Sequence, residues 1–154
     1  MSRKSYSDEL QRALSRPDAE KLCRQIDAYA AFYDHDKDSE WPEEYADDFD
    51  ETLCSHWDHP DKALAYVVLA AARSNSPGFI ARMACGTLED ILDKPSPEMV
   101  ERIVAEARKS ARFRWMLDHP YKMSISNDAW KAIEPSRMTG PHEEPPNDRM
   151  PPRD

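Results

Sequence analysis

Apolar residues recur at spacings of three and four positions along most of the chain, and this periodicity constrains the fold more than any other feature. These spacings place side chains on one face of an α-helix, whereas a strand needs alternation with period two, which no run sustains. Only three glycines occur in 154 residues. The pattern predicts an all-α fold: a single compact domain of about seven or eight short to medium helices over residues 1–134, without a sheet.

Serines and prolines indicate where these helices begin. Ser7 is expected to cap a first helix that ends near Ser15 and turns Leu10 and Leu14 inward. Pro17 fits the first turn of a second helix, which runs to about residue 33. Later helices are predicted to begin at or next to Pro42, Pro60, Phe79, Thr87, Pro97, Ser110 and Ser126. Ser110 and Ser126 are expected to cap the last two of these helices. The helix from Pro60 is expected to end near Arg73, and the helix from Phe79 near Ala84.

The turn after Ala84 is predicted from local chemistry. Gly86 suits a left-handed C-terminal cap. Thr87 and Asp90 have the spacing of a capping box, which predicts that the Thr87 hydroxyl caps a short helix through Leu92.

Several features predict a cytoplasmic protein that does not span a membrane. The longest apolar run, residues 63–72, has about half the length needed to cross a bilayer and instead indicates a buried core helix. The first residues lack the apolar run of a signal peptide. Three widely spaced cysteines, Cys23, Cys54 and Cys85, are expected to be reduced and to act as small buried hydrophobes.

The C-terminal stretch, residues 135–154, differs in composition from the rest. It holds six of the thirteen prolines and no Leu, Ile, Val, Phe, Tyr or Trp. Such a segment buries too little apolar surface to offset the entropy lost on ordering. We therefore predict a disordered, proline-rich tail.

Negative charge is concentrated in residues 34–62, called the acidic segment below. It contains twelve carboxylates and two lysines, whereas the whole chain has a net charge of −9. Its predicted helix has an apolar stripe at every fourth position, and six carboxylates within nine residues repel one another. A surface of this kind suits a basic protein partner. The predicted partner-binding residues are Trp41, Glu43, Glu44, Tyr45, Asp47, Asp48, Asp50, Glu51 and Trp57.

Two other patterns suggest metal sites, but each is incomplete. Asp34, Asp36 and Asp38 alternate as in a calcium loop, but the glycine and the final glutamate of such a loop are missing. Cys54, His56 and His59 are possible transition-metal ligands with irregular spacing. Neither pattern is sufficient, so no metal or other cofactor is predicted.

Arg114 and His119 have the loose spacing of a family of helical, metal-independent ribonucleases, in which the imidazole would do acid-base work. The polar residue usual after the arginine is Trp115 here. An acidic protein would also repel the phosphates of a nucleic acid.

One segment, Ile80 to Leu92, resembles a bacterial family of uncharacterised small proteins. The hallmark of that family is Ala-Gly-Pro-Leu-Glu-Asp-Leu-Leu, which is matched here within residues 84–92, Ala-Cys-Gly-Thr-Leu-Glu-Asp-Ile-Leu, with Cys85-Gly86-Thr87 in the place of Ala-Gly-Pro. A helix over residues 100–107 and the Arg-Phe-Arg of residues 112–114 extend the similarity, which covers roughly residues 40–134. The resemblance implies a helical fold and a bacterial source, and it implies no reaction and no catalytic residues.

Together these patterns favour an immunity or inhibitor protein over an enzyme. It would neutralise a basic toxin or effector, for example a nuclease, by occluding its active site, without contacting nucleic acid directly. A nuclease that uses Arg114 and His119, and a scaffold or oligomerisation protein, are the alternatives.

Overall fold

The structure is a computed structural model, which describes residues 7–35, 51–52 and 55–153 of the chain. Every regular element in these ranges is helical, which confirms the predicted all-α class. The eight α-helices are α1 (Asp8–Leu14), α2 (Ala19–His35), α3 (Pro60–Arg73), α4 (Pro77–Met83), α5 (Glu89–Asp93), α6 (Pro97–Lys109), α7 (Ala111–Leu117) and α8 (Asn127–Ile133). Residues 51–52 and 55–58 are also helical. Three short 3-10 helices follow α7: Lys122–Ser124, Glu134–Ser136 and Asn147–Arg149.

Helix α3 lies at the centre of the domain. All residues from 63 to 71 are buried, and the helix packs against α1, α2 and α4. Its many alanines allow the neighbouring helices to approach closely. The buried Tyr66 hydroxyl donates a hydrogen bond to the side chain of Gln25 on α2, so its polar end is satisfied. None of the helices in the described ranges has the length and apolarity needed to cross a membrane.

The predicted serine caps are confirmed. The hydroxyl of Ser7 accepts a hydrogen bond from the Leu10 amide at 3.2 Å. Ser110 does the same for Phe113 at 3.1 Å, and Ser126 does so for Ala129 at 3.3 Å. Ser76 and Ser96, which were not predicted as caps, cap α4 and α6 in the same way. Local sequence therefore sets most helix starts.

The inward face of α1 differs from the predicted one. Leu14 is 44% exposed and Leu10 is only partly buried, whereas Glu9 and Ala13 are buried. The reason is electrostatic, because Glu9 forms a bidentate ion pair with Arg102 of α6. The prediction that Pro17 lies in the first turn of α2 is also wrong, because Pro17 lies in the turn before that helix.

The chain does not turn at Gly86. Residues Ala84–Leu88 form a π-helical segment that joins α4 to α5, with the Glu89 amide bonded to the carbonyl of Ala84. No residue in the described ranges has a positive φ, so the predicted left-handed cap is wrong. The hydroxyl of Thr87 is buried without a hydrogen-bond partner and does not cap α5. A continuous helix with one wider turn replaces the predicted break.

Residues 135–153 of the predicted tail make specific contacts with the domain. The guanidinium of Arg137 donates to the carbonyls of Leu117 and Pro120, both at 2.8 Å. The amide of Met138 donates to the carboxylate of Asp118 at 2.7 Å. These contacts are polar and go largely to the main chain at the end of α7. Composition indicates only how much apolar surface a segment can bury, so it does not predict them.

Candidate functional site

Most of the predicted partner-binding surface lies outside the described residues. Of the nine predicted residues, Glu51 and Trp57 are described. The other seven predicted residues, Trp41, Glu43, Glu44, Tyr45, Asp47, Asp48 and Asp50, lie outside that part of the chain.

Glu51 is partly buried against the domain. Its carboxylate accepts hydrogen bonds from Gln25 at 2.9 Å and from Lys62, and it lies 3.2 Å from the ammonium of Lys21. Burial opposes the charge, but the hydrogen bonds from Lys62, Gln25 and Lys21 outweigh it and lower the pKa of Glu51 to about 2. Glu51 therefore ties the acidic segment to α2 and α3.

Replacing Glu51 by glutamine should reduce stability at neutral pH and have less effect in acid. Because its folded pKa is depressed, Glu51 contributes stability above pH 4.5, and this is lost as the pH falls toward about 2. We expect Glu51→Gln to lower the free energy of unfolding by about 1 kcal/mol at pH 7, after allowance for solvent screening. Urea denaturation at pH 7, 4 and 3 should show the difference shrinking. The exposed Glu98→Gln is the control, and a difference independent of pH would contradict the assignment.

Trp57 projects into solvent. Its side chain is 76% exposed, the highest exposure of any tryptophan among the described residues. The ring of His56 lies against it, with centroids 4.9 Å apart. On its other side, His56 Nδ1 lies 3.9 Å from the Asp90 carboxylate of α5. The acidic segment thus meets the Ala84–Leu92 motif region at this point.

We call the exposed group around this contact the Trp57 surface. It is defined by Trp57, Asp58, His56, Asp90 and Asp93. Asp58, Asp90 and Asp93 are exposed, and Asp93 is one helical turn after Asp90. Of these five residues, only Trp57 was predicted to bind a partner, and Asp90 was predicted only as the acidic residue of a capping box. Their proximity depends on a contact between segments more than thirty residues apart.

A second polar cluster lies at the π-helical segment. The Cys85 thiol donates to one oxygen of the Glu144 carboxylate at 3.1 Å, and the Tyr121 hydroxyl donates to the other at 3.3 Å. Burial, together with the charges of Glu144 and Glu89, raises the pKa of the Cys85 thiol to about 12. A thiol that stays protonated is a poor nucleophile. This cluster holds the tail to the helical domain and does not support covalent chemistry.

The cysteines differ from their predicted environment. Cys23 and Cys85 are free thiols, as predicted, but both are only partly buried. Cys23 packs against the hydrophobic core, whereas Cys85 belongs to the polar cluster with Glu144. Cys54 lies outside the described residues.

His119 is in a poor position for acid-base catalysis. Its side chain is buried, and Nδ1 is hydrogen-bonded to the carbonyl of Trp115 at 2.9 Å. Burial lowers the pKa of His119, against the opposing effects of the Trp115 carbonyl and of Glu144. Arg114, in contrast, is exposed. An imidazole enclosed in this way does not reach a substrate phosphate.

The two possible metal patterns are only partly described. Asp36 and Asp38 lie outside the described residues, as does the side chain of Asp34. His56 pairs with Asp90, and exposed His59 precedes α3. In the part of the chain that the structure covers, no three His, Cys, Asp or Glu side chains are grouped as metal ligands.

The fold and these contacts define a small helical protein with an exposed aromatic and acidic surface. Residues 34–140 match a family of unknown function (DUF6869), and the chain belongs to this family. The match includes the acidic segment, the Trp57 surface and the π-helical segment. No curated protein and no solved structure matches the chain.

Proposed function

We propose that this chain is a bacterial immunity or inhibitor protein that binds a basic protein partner in the cytoplasm and occludes its active site. A nuclease toxin is the candidate partner. The exposed side chain of Trp57, within the most acidic part of the sequence, is the observation that carries the proposal. The likeness of residues 84–92 to the bacterial motif supports a bacterial source.

Charge supports a basic partner. The acidic segment carries a charge of −10, which exceeds the net charge of the whole protein. Complementary charges accelerate encounter and exclude acidic competitors. A nuclease active site that binds phosphates is basic, so a surface of carboxylates would compete for the same contacts.

An exposed tryptophan supports a protein partner over a small molecule. Tryptophan is enriched among the residues that contribute most to interface energy, because its large apolar surface is desolvated on binding. Trp57 presents that surface in the unbound protein, where it contributes little to the core. Trp57 lies on a helical stretch next to α3, which would restrict the motion of its backbone before docking.

Charge reversal tests this proposal. The variant should carry Asp47→Lys, Asp48→Lys and Asp50→Lys, while Glu51 stays unchanged because it is bonded to Lys21 and Lys62. We expect the triple variant to bind its partner at least tenfold more weakly, since each carboxylate would become a repulsive charge. The partner would be captured from the source bacterium on the wild-type protein, and affinities measured by calorimetry.

The control is reversal of three exposed carboxylates elsewhere, Glu98→Lys, Glu101→Lys and Asp148→Lys, which changes the net charge equally. Circular dichroism should show the same helix content in all three proteins. If the triple variant and the control bind equally well, local charge does not determine binding and the proposal fails.

A further inference from the structure

We propose that the Trp57 surface recognises arginine side chains of the partner in preference to lysine. The proposal rests on the proposed function, because it specifies which basic residues the acidic segment would meet. It follows from the exposed indole ring and the exposed carboxylates of the same surface, and not from total charge.

One side of the Trp57 ring is supported and the rest is open. The His56 ring lies against it at 4.9 Å with a tilt of 53°. The His56 side chain is itself only 12% exposed, so it is largely enclosed by the domain, whereas the indole beside it is exposed. An exposed indole face is the preferred aromatic acceptor for a cation.

Three exposed carboxylates belong to the same surface as this ring. Asp58 follows Trp57 directly, and Asp90 approaches the far side of His56 at 3.9 Å. Asp93 adds a further exposed negative charge on the same helix, α5. The carboxylates disfavour an apolar or anionic occupant, because either would leave them without a compensating charge on binding.

Arginine satisfies both features at once. Its planar guanidinium stacks on an aromatic face while its N–H groups, which lie in the same plane, donate to carboxylates at the edge. The lysine ammonium is a compact, strongly hydrated charge and cannot stack in this way. An arginine contact therefore gains from the ring and from the carboxylates, whereas a lysine contact gains mainly from charge.

Two labelled peptides of equal charge, octa-arginine and octa-lysine, provide the probe. Fluorescence anisotropy with the full-length protein should give an affinity about fivefold higher for octa-arginine. Trp57→Leu should bring the two affinities together by weakening octa-arginine binding alone, and Asp90→Asn should reduce octa-arginine binding by a smaller factor. Met123→Ala, at another exposed apolar side chain, is the matched control and should change neither affinity.

The outcomes separate this inference from the proposed function. Equal affinities of the wild type for both peptides, or an arginine preference that survives Trp57→Leu, would overturn the inference alone. Binding of neither peptide would overturn the proposed basic partner, and the arginine preference with it. Trp57→Leu should retain the wild-type unfolding midpoint, because the replaced side chain is largely exposed.

Discussion

Replacing Arg112 by methionine should lower the free energy of unfolding by about 3 kcal/mol. The residue is 3% exposed, and its guanidinium donates to the carbonyls of Ala71 at 3.0 Å and Ser74 at 2.7 Å, at the C-terminal end of α3. Its Nε also donates to the carbonyl of Pro151 at 2.9 Å, in the tail. Methionine keeps the apolar stem and removes every donor, so buried carbonyls lose their partners.

Chemical denaturation followed by circular dichroism measures this change. Arg112→Lys should have an intermediate effect, because one ammonium cannot reach carbonyls that the planar guanidinium contacts together. Arg114→Met is the control: Arg114 belongs to the same helix but is exposed, and its replacement should change stability by under about 0.5 kcal/mol. If the two methionine variants are equally stable, the hydrogen bonds of Arg112 contribute little.

Features that depend on nearby residues were predictable from the sequence. The serine caps at Ser7, Ser110 and Ser126 depend on residues three positions away, and all three are confirmed. The buried helix α3 also follows from its own run of apolar residues, with the predicted limits of Pro60 and Arg73. In each case the controlling interaction lies within about one helical turn or within one helix.

Features that depend on distant residues were not predictable. Glu9 is buried because Arg102, ninety-three positions later, neutralises it. Gly86 lies in a continuous helix and not at a cap, and the π-helical segment that contains it packs against α3 and α7. The contact of His56 with Asp90 likewise joins residues that are far apart in the sequence. Periodicity describes one element at a time, and it carries no information about which charged groups meet.

Replacing Glu9 by alanine should also lower the free energy of unfolding by about 3 kcal/mol, near the lower limit for breaking a buried ion pair. Its carboxylate is buried and accepts two hydrogen bonds from the guanidinium of Arg102, at 2.8 and 2.9 Å. This pair joins α1 to α6, and Arg102 also contacts Asp61 on α3. Removing Glu9 leaves Arg102 partly enclosed, with the exposed Asp61 as its remaining carboxylate partner among the described residues.

A double-mutant cycle separates the pair from its surroundings. Glu9→Ala and Arg102→Met should each lower the free energy of unfolding. The loss in the double variant should be about 2 kcal/mol smaller than the sum of the two single losses, because the second change removes the uncompensated charge. Asp8→Ala is the matched control, since Asp8 pairs with Lys109 across the same two helices at 2.7 Å but in solvent. It should have a far smaller effect. Additive costs in the cycle would show that α1 is held by its apolar contacts and not by this pair.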